Sequence, residues 1–132
     1  MDRLFIEKIQ TTLEGFPEII FGNVFGSYAS GKPTVNSDVD LSVAAYNKLS
    51  FTMLQELRQR LNDCLDRDID LVDLNAVSGL ILKEALTTGK VIINKDPELY
   101  SALMKKMLYN QADMMPYYNR ILKERREEFI NG

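Results

Sequence analysis

The sequence predicts a small α/β (α+β) domain, in which a mixed β-sheet of about four strands has helices packed on it. The spacing of apolar residues switches repeatedly between helical and strand periods along the chain. The chain has 132 residues, the length of one domain, and is 45% hydrophobic and 27% charged, as globular proteins are. A chain of this length buries one core, so we expect residues 1–132 to form a single domain.

Helices are predicted where apolar residues recur at helical spacing next to capping or stop residues. Ser50, Asn75 and Asp96 are the predicted caps, and glycines follow two of the helices. The predicted helices are 3–14, a segment from Ser50 to Leu65, one from Asn75 to about Leu86, one starting at Asp96-Pro97, and a last one from about Pro116. The predicted strands are 19–25, 38–44, 68–74 and 90–94. The segment 26–37 is predicted to be a turn, a short helical start and a loop.

The composition excludes several classes of function. The chain has no histidine, which rules out Ser-His-Asp and Cys-His catalysis and every histidine-ligated zinc site. A net charge of −3 argues against a protein that binds nucleic acid through its phosphates. Cys64 cannot form an internal disulfide and is expected to be a small core residue of a protein in the reducing cytoplasm. No signal peptide and no apolar run of about 20 residues is present, so no membrane contact is expected.

Two aspartates at the start of a predicted strand point to a metal site. Residues two apart in a strand project from the same face, so Asp38 and Asp40 should lie side by side. Such a pair repels unless a cation neutralises it, and oxygen ligands of this kind suit Mg²⁺. Alone, however, an Asp-x-Asp sequence is often the solvated edge of a strand.

Two further sequence features are consistent with a site that binds a phosphate and transfers it. Gly26-Ser27 follows a predicted strand, where glycine permits close approach of a phosphate, and the serine hydroxyl and backbone amides can donate to it. Asp70 lies in another predicted strand and could complete a three-carboxylate site as a metal ligand and general base. Taken singly, Gly-Ser is usually a plain turn, and Asp70 is more simply a surface residue since Asp68 shares its face. The three pieces together favour one reaction.

These residues also carry a family resemblance. Gly26-Ser27, a ten-residue gap and Asp38-Val39-Asp40 resemble the signature of the DNA polymerase β-like nucleotidyltransferase superfamily. The fuller pattern, through Ser37 and Leu41, is similar to the minimal nucleotidyltransferases (MNT). The resemblance covers about residues 1–95. It implies the polymerase β-like fold, Mg²⁺ held by Asp38, Asp40 and Asp70, and nucleotide binding by Gly26, Ser27 and Ser37.

The resemblance further implies a biological role. Compact members of this family resemble MntA-type antitoxins, which transfer AMP from ATP to a tyrosine of a partner HEPN-domain toxin, a ribonuclease. Residues 96–132 would then be C-terminal helices that could dock this partner, although closing the domain's own core is an equally simple role. One departure is Ser30, where the family often has arginine, so a phosphate contact is either missing or supplied by Lys32. Two alternatives stay open: transfer to a small molecule such as an aminoglycoside, and a non-catalytic antitoxin that acts by binding.

Overall fold

A computed structural model describes residues 1–33, residues 37–109 and Lys123. The strands are β1 (Phe21–Phe25), β2 (Val39–Ala44), β3 (Ile69–Asp73) and β4 (Lys90–Asn94). The helices are α1 (Arg3–Glu14), α2 (Gly26–Ala29), α3 (Phe51–Leu65), α4 (Gly79–Thr88) and α5 (97–109). The strand order is β3-β2-β1-β4, with β1 antiparallel to β2 and β4, and β2 parallel to β3. The mixed four-stranded sheet confirms the predicted fold class.

The two faces of the sheet pack against different helices. Val39, Leu41 and Val43 project from one face into a core shared with α1 and α3. The next residues along β2 project from the opposite face, where Ala44 packs with α4 and α5. Asp40 starts this second face at the other end of the same strand. The fold therefore buries the Ala44 end of the second face under α4 and α5. At the other end of β2, the Asp40 carboxylate stays half-buried.

Most of the predicted helix signals are confirmed. The Ser50 hydroxyl accepts a hydrogen bond from the Met53 amide at 3.1 Å, and Asp96 Oδ1 accepts one from the Glu98 amide at 3.0 Å. The prediction that Asn75 caps a helix is wrong, because α4 begins four residues later, at Gly79. Asn75 instead closes a turn: its backbone amide donates to Asp73 Oδ1 and its side-chain amide donates to the Ala45 carbonyl.

Helix α5 packs against the core that α4 shares with the second face of the sheet. Leu103 and Met107 are buried there, and the Tyr100 ring lies 5.3 Å from the Phe21 ring. The predicted helix from Pro116 lies outside the described residues. Within residues 1–33 and 37–109, none of the helices has the length and apolarity needed to cross a membrane.

Candidate active site

The parallel pairing of β2 and β3 brings two of the predicted carboxylates together. Asp40 and Asp70 are direct partners in the parallel strand register, so their side chains project side by side from the same face of the sheet. Asp38 lies just before β2, two residues from Asp40, and its charge also acts on Asp40. Asp40 is therefore the central carboxylate, half-buried between two that are exposed.

The surroundings of Asp40 disfavour its ionised form. Partial burial, followed by the negative charge and hydrogen bond of Asp70 and the charges of Asp38 and Glu84, raises the pKa of Asp40 to about 6. Each of these effects disfavours the ionised carboxylate, and a divalent cation would reverse the balance.

The residues present fit Mg²⁺ better than a metal that needs a complete protein cage. Among residues 1–33 and 37–109, no group of three or more acidic or cysteine side chains is gathered closely enough to hold a metal ion on its own. Mg²⁺ does not require one, because it commonly takes one or two carboxylates and completes its octahedron with water and phosphate oxygens. The Asp40–Asp70 pair, with Asp38 beside it, supplies such a partial set of ligands.

Gly26 closes the site from the side of β1. Phe25, the last residue of β1, pairs with Asp40, and the chain then turns into α2 at Gly26 with a φ of +69°. A Cβ at Gly26 would overlap Asp40 Oδ2 and lie 3.0 Å from Asp40 Cγ. Glycine is therefore required here twice, for its backbone conformation and for the space that the carboxylate occupies.

The turn that carries Ser27 is held by an aromatic contact with α1 and by a hydrogen bond within the turn. The Tyr28 ring stacks on the Phe5 ring of α1, with centroids 5.0 Å apart and planes within 3°. The Ser30 hydroxyl donates to the Ser27 carbonyl at 3.0 Å. These contacts fix the turn that presents the half-buried Ser27 and Gly26 next to Asp40.

The remaining predicted contacts lie around this turn. Ser37 is half-buried in the segment directly before Asp38. Lys32, the expected substitute for the family's arginine, has an exposed side chain, and its amide donates to the Ser27 carbonyl at 3.0 Å. The structure therefore ties the backbone of Lys32 to the Ser27 turn and leaves its ammonium group at the surface.

A pocket of about 460 Å³ opens beside the turn, and part of its wall was missed by sequence reasoning. It is lined by Gly26, Ser27 and Ser30 on one side and by Glu84 and Thr88 of α4 on the other. The described lining contains no lysine or arginine. Nothing in the local sequence of α4 indicated this position, since it depends on how α4 packs across the sheet.

Comparison with known proteins identifies the family. The family model described as polymerase beta, nucleotidyltransferase, matches residues 7–98, a span that includes every residue of the site. The chain belongs to this nucleotidyltransferase family. It is 35% identical over 95 residues to the protein adenylyltransferase MntA of Shewanella oneidensis, which covers 70% of this chain and 68% of that protein.

Solved structures agree with this assignment. One similar chain comes from a crystal structure of a toxin–antitoxin with AMP-PNP, with a TM-score of 0.74, 28% identity, and coverage of 89% of this chain and 98% of that one. Another comes from a structure of the tri-AMPylated Shewanella oneidensis HEPN toxin in complex with MNT antitoxin. It has a TM-score of 0.69, 28% identity, and coverage of 92% of this chain and 99% of that one. The nucleotidyltransferase fold predicted from the Gly-Ser and Asp-x-Asp pattern is confirmed.

Proposed function

We propose that this chain is an Mg²⁺-dependent protein adenylyltransferase antitoxin, which transfers AMP from ATP to a tyrosine hydroxyl of a HEPN-type toxin and so silences it. The observation that carries the proposal is the direct pairing of Asp40 with Asp70 against the Gly26 turn. This arrangement occurs in a chain similar to a protein adenylyltransferase and to a chain found in complex with an AMPylated HEPN toxin.

Each residue of the site has a role that follows from its position. Gly26 and Ser27 receive the terminal phosphates of ATP, since the turn combines an open backbone with a hydroxyl donor. Asp38 and Asp40 hold Mg²⁺, with Asp70 as a further ligand. The bound ion supplies charge neutralisation at the phosphate oxygens where negative charge develops.

The transfer step is a displacement at the α-phosphorus of ATP, with Asp70 as the proton acceptor. The tyrosine oxygen forms a bond to the α-phosphorus of ATP while the bond to the bridging oxygen breaks and diphosphate leaves. Asp70 is exposed, lies beside Asp40 and accepts the phenolic proton. The partner toxin must hold its tyrosine in line with the leaving diphosphate, because in-line geometry contributes much of the rate.

Intact-mass spectrometry of the partner tests the proposal. The chain is incubated with ATP, Mg²⁺ and a candidate HEPN-domain partner, which is sought first among the neighbouring genes. We expect the partner to gain the mass of one or more AMP groups, on a tyrosine located by peptide mapping. Omission of Mg²⁺, or Asp40→Asn, should abolish the gain, whereas Asp66→Asn should not. Asp66 ends α3 in a left-handed conformation that asparagine also adopts, so this variant is a matched control for the loss of one carboxylate.

The same experiment distinguishes an antitoxin that modifies the toxin from one that inhibits it by binding alone. A partner that loses its ribonuclease activity in the complex without gaining mass would show that the chain acts by contact alone. If AMP transfer persisted when a chelator had removed the divalent cations, the reaction would not depend on Mg²⁺.

A further inference from the structure

The pocket beside Ser27 has a second wall, formed by Glu84 and Thr88 of α4. This wall offers a carboxylate as well as a hydroxyl to a ligand, unlike the Gly26-Ser27 turn opposite. We propose that Glu84 and Thr88 form the subsite for the ribose of the nucleotide, with the Glu84 carboxylate accepting a hydrogen bond from a ribose hydroxyl. This inference rests on the proposed function, since it assumes that ATP binds with its phosphates at Gly26-Ser27.

The first step of the argument is that α4 is held in place over the turn. The Asn23 side chain, 1% exposed within β1, donates from Nδ2 to the Ala85 carbonyl at 2.7 Å. Asn23 Oδ1 in turn accepts from the Ser42 hydroxyl, which is fully buried. At the end of α4, a Cβ on Gly89 would lie 2.7 Å from Asn23 Cγ, so the helix end packs directly on this amide. Glu84, the residue before Ala85, is thereby set at the mouth of the pocket.

The second step is that this wall offers acceptors. The Thr88 hydroxyl donates its proton to the Glu84 carbonyl at 2.6 Å, and the Ser30 hydroxyl donates to the Ser27 carbonyl at 3.0 Å. Both hydroxyl oxygens therefore present lone pairs to a ligand. An ionised carboxylate has only acceptor sites, and within residues 1–33 and 37–109 the Glu84 side chain makes no hydrogen bond or ion pair.

The third step matches this wall to one part of ATP. The phosphates are anionic acceptors, so Glu84 repels them, whereas ribose hydroxyls are donors. The ribose is joined directly to the α-phosphate, which the proposed function places at Asp40. Gly26, which lines the pocket together with Glu84, packs directly on the Asp40 carboxylate, since a Cβ on Gly26 would overlap Asp40 Oδ2. The ribose hydroxyls, which are the donors closest to the α-phosphate, thus meet acceptors on the α4 side of the pocket that Gly26 also lines.

Calorimetric titration of the full-length chain tests the subsite without requiring transfer. ATP, 2′-deoxy-ATP and 3′-deoxy-ATP are titrated with Mg²⁺ into the wild type and into Glu84→Ala. A hydrogen bond to a charged group predicts that the wild type binds one deoxy analogue roughly 10- to 100-fold more weakly than ATP. Glu84→Ala should weaken ATP binding by a similar factor and bind that analogue no more weakly than the wild type does.

A purely electrostatic role for Glu84 predicts the opposite sign. Removing a negative charge near the phosphates would then tighten ATP and both analogues alike, and this result would overturn the proposal. Thr88→Val and Thr87→Val form a matched pair, because both hydroxyls donate to the carbonyl four residues earlier but only Thr88 lines the pocket. Weaker ATP binding is expected for Thr88→Val only, and equal affinities for the two variants would exclude Thr88 from the subsite.

The two proposals fail separately. A wild type that binds ATP with the ribose preference but transfers no AMP to the HEPN protein would overturn the proposed function and leave the subsite standing. A wild type that transfers AMP to the partner yet binds ATP and both deoxy analogues equally would overturn the subsite alone.

Discussion

Replacing Asp40 with asparagine should stabilise the folded chain in a pH-dependent way. The pKa of this carboxyl is about 6 in the folded chain, against 3.8 when it is unperturbed. Between these two values the folded chain binds more protons than the unfolded chain, so the free energy of unfolding falls as pH rises from about 4 to about 6. Above pH 6 the full penalty for ionised Asp40 is present. Asparagine carries no charge, and its amide can donate to Asp70.

The size of the effect follows from the shift in pKa. The difference between a pKa of about 6 and one of 3.8 corresponds to an upper bound of about 3 kcal/mol. Asp40 is only half-buried, and solvent screens its repulsion by Asp70 and Asp38, so we reduce the expected gain to about 1 kcal/mol above pH 6. For a chain of this size, about 1 kcal/mol corresponds to roughly 4 °C in melting temperature.

Urea unfolding at a series of pH values between 4 and 8, without divalent cations, measures this gain. The difference in unfolding free energy between Asp40→Asn and the wild type should be small at pH 4 and rise to its plateau above pH 6. Asp66→Asn is the control, since it removes one carboxylate from the end of α3 and should show no such rise. A pH-independent difference for Asp40→Asn, or an identical rise in the control, would refute the electrostatic account of the site.

Three other substitutions test the site and its support. Asp70→Asn should lower AMP transfer by about 10²- to 10⁴-fold while the calorimetric affinity for ATP with Mg²⁺ is largely kept, and near-normal transfer would exclude Asp70 as the general base. Gly26→Ala should abolish transfer because its Cβ would overlap Asp40. Gly31→Ala has a similar positive φ but no atom within 4 Å of the added Cβ, and should retain transfer in the same assay. Asn23→Ala should lower the unfolding free energy by about 1–3 kcal/mol in urea, since it leaves the buried Ser42 hydroxyl without its acceptor, and an unchanged midpoint would contradict this.

The carboxylates could be predicted from the sequence because their arrangement depends on local rules. The two-residue period of a strand places Asp40 on the face opposite Val39 and Leu41, whereas Asp38, predicted to share its face, lies just before the strand begins. The position of Asp70 required one further assumption, that its strand lies beside β2, and the parallel register confirms it. The family resemblance favoured the same pairing.

The α4 side of the site could not be predicted, because it depends on contacts between distant parts of the chain. Asn23 and Ala85 are 62 residues apart, and nothing in the helical periodicity of α4 shows which residue will face the turn. A signal was nonetheless present in β1, where Asn23 interrupts an apolar strand. A buried polar side chain needs a partner, so its presence predicts a contact across the sheet without naming it. The error at Asn75 has a similar origin, since the Ala45 carbonyl that holds its side chain is 30 residues away.

The distribution of charge at the site has a consequence for how the proposed substrate enters. The negative charges of Asp38, Asp70 and Glu84 all act on Asp40, and Glu84 also lines the pocket beside Ser27. The described lining of that pocket supplies no lysine or arginine to oppose them. Free ATP, itself an anion, is therefore repelled, whereas ATP that carries Mg²⁺ brings the charge that the carboxylates lack. Under the proposed function, the repulsion among these carboxylates couples nucleotide binding to the metal, and it favours the Ser27 side of the pocket for the phosphates, away from Glu84.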